Sequence, residues 1–385
     1  MTFITAADIP DIARGAAILG AGGGGDPWLG SLMAQAALAE CGPVRLVTPD
    51  EVPNDAFVLP VAIMGAPTVI VEKPPAGDEL LRAFSAVERA TGRAVTHVAC
   101  LEAGGLNSMT PIVTAARAGL PLIDGDGMGR AFPELQMVLF TLDGISSSPM
   151  AMADEKGNTI VLDTVDNSWS ERLARSATVD MGCSASIALY PLTGAQARSG
   201  LVPLTLSLAR DLGRLVREAA AAHDDPAEAL AAHCGGVVLV HGKVVDVHRR
   251  TEAGFARGQA TLVGFGMDEG RTVELAFQNE HLVATEIAGT GAEQAGAEQA
   301  GAEVAGDGAQ RRVLASVPDL ICVVDADTGE PVTTEAMRYG FRVTVLALPA
   351  HERWRTPAGL ALVGPRYFGY DHDYVPIGRA SVGPQ

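Results

Sequence analysis

The chain is short of basic residues: 28 Lys and Arg stand against 46 Asp and Glu among 385 residues, a formal net charge of −18. A field of that sign argues against nucleic acid or an anionic membrane surface as a partner. No apolar run approaches the roughly 18 residues that a membrane helix needs. Met1-Thr2-Phe3-Ile4 leads straight to Asp8 without the basic and apolar segments of a secretory leader. Cysteine is scarce as well. Cys41, Cys100, Cys183, Cys234 and Cys322 are odd in number, scattered and without a CxxC pair. Free thiols and a cytoplasmic setting are therefore expected, not a disulfide framework. The eight histidines include no HxH or HExxH pair, so no single segment carries a ready-made metal motif.

What is present begins with 48% hydrophobic residues in a chain long enough for two domains. The segment from Val95 to Glu134 reads as strand, polar glycine-rich loop, helix, strand, polar loop. That is a βαβ unit, whose crossover requires parallel strands, so both polar loops leave one sheet edge, where open α/β sheets bind ligands. Upstream, a helix from Ala6 to Leu19 with Ile9, Ile12 and Ala16 inward runs into Gly20-Ala21-Gly22-Gly23-Gly24-Gly25-Asp26. Gly20, Gly22 and Gly25 satisfy GxGxxG, but the pattern before them is helical where a dinucleotide fingerprint needs a strand. No Walker lysine is present either, so no nucleotide cofactor is expected. A tight backbone loop beside a ligand is the better use of these glycines, with Gly23, Gly24 and Asp26 as binding residues.

Further elements are predicted as a helix over 29–39, a strand over 44–48, an apolar run over 56–64 and a helix over 78–91. Another helix is predicted to start at Phe132–Met137, and a hairpin over 150–165 to turn at Lys156-Gly157-Asn158. Residues 1–165 are thus expected to form an α/β domain with a mostly parallel sheet flanked by helices. From about Asp166 the texture changes. A strand over 181–190, a long amphipathic helix over 205–222 and an antiparallel meander from Gly235 make residues 166–385 a β-rich α+β domain. Residues 289–308, nearly two copies of AGAEQ, read as a low-complexity surface insert.

The loops of the βαβ unit supply the candidate chemistry. Glu102 ends the first strand and reads as a general base or metal ligand, or else as an acid at a helix N-terminus. Asn107 is a substrate contact or an N-cap. Asp124 and Asp126, at i and i+2, share a side of an extended backbone, as paired carboxylates for proton transfer or a metal would; the alternative is a turn in which each bonds its own backbone. Arg130 can clamp a substrate carboxylate or pair with Glu134. Cys183 lies among small and polar residues as a nucleophile, a soft metal ligand or packing, whereas Cys100 and Cys322 sit in apolar runs and read as packing. His372, inside Tyr370-Asp371-His372-Asp373-Tyr374, is the most site-like histidine, and His248 beside Arg249-Arg250 reads as surface. Gln278-Asn279-Glu280 ends a meander strand and can read ring amide groups.

Several strings together, LGAGGGGDPWLG, EAGGLNSMTP, DGDGMGRAFPE, DMGCS, FQNE and GPRYFGYD, resemble the S-methyl thiohydantoin desulfurase family, formerly DUF917. The resemblance covers nearly the whole chain, and the insert at 289–308 departs from it. It implies a hydrolase in which water displaces a methylthio group from a five-membered nitrogen heterocycle, leaving a hydantoin and methanethiol. A divalent metal, zinc first, would activate the water, with Asp126, Cys183 and His372 as its expected ligands. A homo-oligomer is expected. The competing reading is an accessory subunit of a hydantoinase- or oxoprolinase-type complex.

Overall fold

A computed structural model describes residues 2–65, 67–73, 75, 77–252, 254–288 and 311–377; the low-complexity insert lies outside the described residues. The chain divides into two compact units. One holds the residues up to Arg214 with Gly254 and Phe255, and the other runs from Leu215 to Glu252 and onward from Ala256. The first unit therefore extends well past the change of texture near Asp166. Among the described residues no helix is long and apolar enough to cross a membrane.

The first unit is built on a mixed sheet. In chain order its strands are β1 (Phe3–Ile4), β2 (Val44–Val47), β3 (Phe57–Gly65), β4 (His97–Cys100), β5 (Leu122–Asp126), β6 (Met150–Ala153), β7 (Thr159–Leu162), β8 (Ser184–Ala188), β9 (Leu192–Thr193) and β10 (Val202–Pro203). The order across the sheet is β1-β2-β5-β4-β3-β8-β6-β7. The four strands β2, β5, β4 and β3 run parallel, while β8 and the β6–β7 hairpin continue the sheet antiparallel. Buried on both faces, β3 reads as the unbroken apolar run FVLPVAIM, as a covered parallel strand should. The helices Asp78–Thr91 and Thr110–Ala118 both end at a glycine with left-handed φ, Gly92 at 66° and Gly119 at 66°, a backbone state that glycine adopts without a Cβ penalty.

The βαβ unit read from the sequence is present as β4, the Thr110–Ala118 helix and β5. The hairpin at 150–165 also forms, as β6 and β7. The helix expected to begin at Phe132–Met137 begins later: that stretch is irregular, and a helical turn comes at Leu139–Leu142. Within that stretch the Leu135 N–H donates to the Glu171 carboxylate at 2.9 Å.

The second unit is an antiparallel sheet of β11 (Val237–Glu252), β12 (Phe255–Gly264), β13 (Thr272–Gln278), β14 (Glu280–Ile287), β15 (Arg311–Ser316), β16 (Leu320–Asp325) and β17 (Arg342–Leu348), in the order β15-β14-β13-β12-β11-β17-β16. Its core holds Val244, Leu262, Leu275, Val323 and Val345. The meander read from alternating apolar positions after Gly235 is this sheet.

Candidate active site

Because β3, β4 and β5 are parallel, they finish on one edge of the first sheet, at Gly65, Cys100 and Asp126. Chain leaving β4 turns through Glu102-Ala103-Gly104-Gly105, and chain leaving β5 turns through Gly127 to Ala131. The loop Gly20–Gly25, which follows the helix Ile9–Leu19, lies directly on both. Gly24 (φ 78°) and Gly105 (φ 52°) meet backbone to backbone: a Cβ on Gly24 would come within 2.6 Å of Gly104 carbonyl atoms, and one on Gly105 within 2.4 Å of the Gly25 oxygen. The Ala131 N–H donates to the Leu19 carbonyl at 3.1 Å. Gly24→Ala is thus expected to destabilise the protein by about 2 kcal/mol, read from the urea midpoint, because the loop must move off Glu102's own segment.

Three side chains in this edge form one system. Asn107 donates from Nδ2 to Glu102 Oε1 (2.6 Å) and to the Ile63 carbonyl (3.1 Å), and accepts the Ile63 N–H at Oδ1 (2.7 Å). It is a bridge from the Glu102 carboxylate to β3 and not a helix cap. Asp126 is fully buried and gathers three backbone N–H groups on Oδ2, from Ala103 (2.8 Å), Met128 (3.0 Å) and Gly129 (2.8 Å). Its Oδ1 has no hydrogen-bond partner of good geometry, and neither has Glu102 Oε2. A break in register between β4 and β5 brings Asp126 level with Cys100, in place of Asp124. That slip sets Asp126 beside the Glu102 loop.

Burial raises both carboxyls, Glu102 to about 7 and Asp126 to about 7. For Glu102 the Asn107 amide and the Phe132 backbone N–H oppose the rise, the Asp126 charge adds to it, and Arg130 draws it down. For Asp126 the three backbone N–H groups and the Thr205 hydroxyl oppose it. For both carboxyls burial is the largest cause of the rise, and the Asp126 charge adds to it at Glu102. The Cys100 thiol donates to the Glu102 carbonyl (2.8 Å) and is pushed far up by burial and by the two acids. It is neutral packing, as its apolar run suggests.

The other sequence candidates in this unit fall into distinct roles. Asp124 receives the Leu206 and Ser207 N–H groups on Oδ1 (3.1 Å each) and the Ser207 hydroxyl on Oδ2 (2.5 Å), so it closes the first turn of the helix Thr205–Ala222 and takes no part in an aspartate pair. Asp124→Ala is expected to cost about 2 kcal/mol in a urea melt. Asp26 is likewise an N-cap, accepting from Trp28 at 2.7 Å at the head of the helix Pro27–Cys41, and Gly23 donates to the Gly20 carbonyl inside the glycine loop (2.8 Å). Arg130 is buried, donates from Nε to the Ala131 carbonyl (2.8 Å) and stacks 4.6 Å over Phe132. Glu134 accepts from Gln136 at 2.5 Å. Cys183 does not stand in a separate unit: it leads into β8 with φ 64°, where Gly65 passes so closely that a Cβ would sit 2.4 Å from the Cys183 carbonyl oxygen. It therefore stands on the same sheet edge as the two acids.

In the second unit, Asn279 (φ 58°) turns β13 into β14, pairing its Oδ1 with the Ala256 N–H (2.9 Å) and its own N–H with the Ala256 carbonyl (2.7 Å). Glu280 is buried beside it. Gln278 lines a cleft of ≈ 580 Å³. His372 lies tilted against Tyr370 with ring centroids 5.8 Å apart and planes at 50°, and the acids on either side of it, Asp371 and Asp373, pair with Arg366. Among the described residues no three His, Cys, Asp or Glu side chains come together as a metal-holding group. Glu102 and Asp126 by themselves offer two hard oxygen donors, fewer than a zinc site uses.

Models of two domains match almost end to end: the S-Me-THD-like N-terminal domain over residues 7–164 and the S-Me-THD-like C-terminal domain over residues 165–377. The chain belongs to the S-Me-THD-like family. Among solved structures it is similar to a protein from Chromobacterium violaceum, with a TM-score of 0.74 and 24% identity over 98% of this chain and 100% of that one, a likeness of fold. No curated protein matches. The join between the two S-Me-THD-like domains at 164/165 falls where the sequence changes texture. The packing of this S-Me-THD-like chain carries its first unit on to Arg214, because β8 completes the sheet and Asp124 anchors the helix that follows.

Proposed function

We propose that the Glu102–Asp126 edge is the active site of a hydrolase that acts on an S-methyl thiohydantoin or a closely related five-membered ring. The observation that carries this reading is the pair of buried carboxyls, both raised to about 7 and each with an oxygen lacking a hydrogen-bond partner of good geometry. One acid and one base poised near neutral pH is what hydrolysis of a ring amidine thioether asks for. Asp126, whose three N–H donors favour the ionised form, is the base. Glu102 is the acid, with Oε1 occupied by Asn107 and the proton on Oε2.

Asp126 takes a proton from water as the water oxygen bonds to the ring carbon that bears sulfur, and Glu102 protonates the adjacent ring nitrogen. The carbon–sulfur bond then breaks, forming the ring carbonyl. The proton on Asp126 goes to the departing methanethiolate and the hydroxyl proton of the tetrahedral centre returns to Glu102. Every step uses these side chains and water.

The test is incubation of purified protein with S-methyl thiohydantoins, hydantoin and oxoproline, following thiol release and ring opening separately. Thiol release without ring opening is expected; ring opening alone, or no reaction, rejects the reading. The strained backbone at Cys183 on the same edge supports a second route, in which its thiolate displaces the methylthio group and water then releases the ring. Cys183→Ala separates the two: unchanged kcat assigns the displacement to water, and loss of turnover in a folded variant assigns it to the thiol.

A further inference from the structure

We infer that the cleft in the second unit is a ligand site for a small organic anion carrying a flat ring. It goes beyond the hydrolytic reading and does not rest on it, since all of its residues belong to the second unit. The cleft measures ≈ 580 Å³, within the range of small-molecule sites. None of the described residues lining it is acidic, in a chain with a formal charge of −18. Local cations override a distant negative field at contact range, because screening confines that field to about 10 Å.

Two cations face the cleft, Arg249 half-buried and Arg257 exposed. Arg249 is held by two carbonyl oxygens, of Glu335 (3.1 Å) and Met337 (3.2 Å), and its buried Nε has no hydrogen-bond partner. Arg257 stands across the β12–β13 pair from Gln278, close enough for the two side chains to serve one ligand. Its charge also reaches the Tyr370 hydroxyl, opposing the rise that burial causes there. A third arginine, Arg250, is paired with Glu252 at 3.0 Å and is not needed. Phe277, Phe368 and Tyr370 supply apolar walls. Phe277 has its room because Gly258, opposite it in register, lacks a side chain: a Cβ there would lie 2.6 Å from the Phe277 ring.

Guanidinium groups bind carboxylates and phosphates through paired N–H bonds, aromatic faces hold flat rings, and a primary amide reads ring donors and acceptors. The three chemistries together define the ligand class. Two strings that carry the family resemblance, FQNE and GPRYFGYD, meet here through Phe277, Gln278, Phe368 and Tyr370, which gives them a shared use outside the carboxylate site.

The test is calorimetric titration of the full chain at about 0.1 M salt with orotate (flat ring and carboxylate), AMP (flat ring and phosphate), inorganic phosphate and uncharged uracil. At least one ring anion is expected to bind ten-fold or more tighter than both phosphate and uracil, and which one does so identifies the anionic group. Arg257→Gln is expected to weaken that binding at least ten-fold in a protein that still unfolds cooperatively; Arg257→Lys, which keeps charge but not the paired geometry, should recover it only in part. Failure of both ring anions to outbind phosphate, or unchanged affinity in a folded Arg257→Gln protein, overturns the assignment.

Discussion

Glu102→Gln and Asp126→Asn are each expected to lower kcat by about 10³, the scale of one positioned acid or base, and the double variant to be little worse than either single one. Both substitutions keep the shape of the site. In Glu102→Gln the new amide can still meet Asn107, and in Asp126→Asn the new amide oxygen can still accept from the Ala103, Met128 and Gly129 N–H groups. What each removes is a transferable proton. The parent's pH–rate profile should be bell-shaped with its maximum near 7, because at low pH both carboxyls are protonated and no base remains, whereas at high pH both are ionised and no acid remains. Each single variant should lose one limb of the bell. Two variants with unchanged profiles would show that the pair does not move protons in the reaction.

Stability supplies the second large effect, with the opposite sign. An exposed chain ionises these carboxyls near the ordinary values of 4.5 and 3.8, and the folded protein does so at about 7. Between those limits the unfolded state has released protons that the folded state still holds. Folding stability therefore falls as pH rises from about 4 to about 7 and is level above that. At roughly 1.4 kcal/mol per pKa unit, the contribution of Asp126 is at most about 4 kcal/mol. Asp126→Asn should accordingly be more stable than the parent at pH 8, by about 2 kcal/mol or more, and close to it at pH 4.5. Other acids are held low, Asp268 by the His241 backbone N–H and Arg271 and Glu286 by Arg271 and Arg312, and pull the parent's pH dependence the other way. Hence the readout is the difference between variant and parent in urea melts at the two pH values. A variant less stable than the parent at pH 8 would mean that Asp126 is not strained by its burial. The inactive protein being the sturdier one is the pattern expected of a functional site.

Much of this is legible in the sequence because it rests on local rules. Helical spacing ahead of Gly20, the strand–helix–strand rhythm from Val95 and the alternation after Gly235 each fix an element from a dozen neighbouring residues. The crossover rule then places Glu102 and Asp126 on one edge. What escapes the sequence depends on partners far along the chain. Asp124 reads as half of a carboxylate pair, yet its partners lie 82 and 83 residues away at Leu206 and Ser207, and the register slip in β5 breaks the regular alternation on which the pairing argument relies. Asn107 resembles a cap because it sits before a helix, while its partners on β3 are 44 residues upstream. Cys183 follows the change of texture, which points to the second domain; β8 returns it to the first sheet. The arginine-lined cleft draws on separate strands and a terminal turn, none of which carries a signal alone.

The contact of the glycine loop with the Gly104–Gly105 turn also bears on how this protein can diversify. Where peptide groups touch with no side chain between them, the separation of the two loops is a fixed length, set by atomic radii and not by residue choice. Variation there has no small steps: the least addition, one methyl group, already collides. A directed-evolution library for new substrates would gain nothing at Gly24, Gly104 or Gly105, and should be placed on side chains that face the same edge from movable segments. Specificity in such a scaffold is written around a rigid frame, and the frame itself carries no adjustable letter.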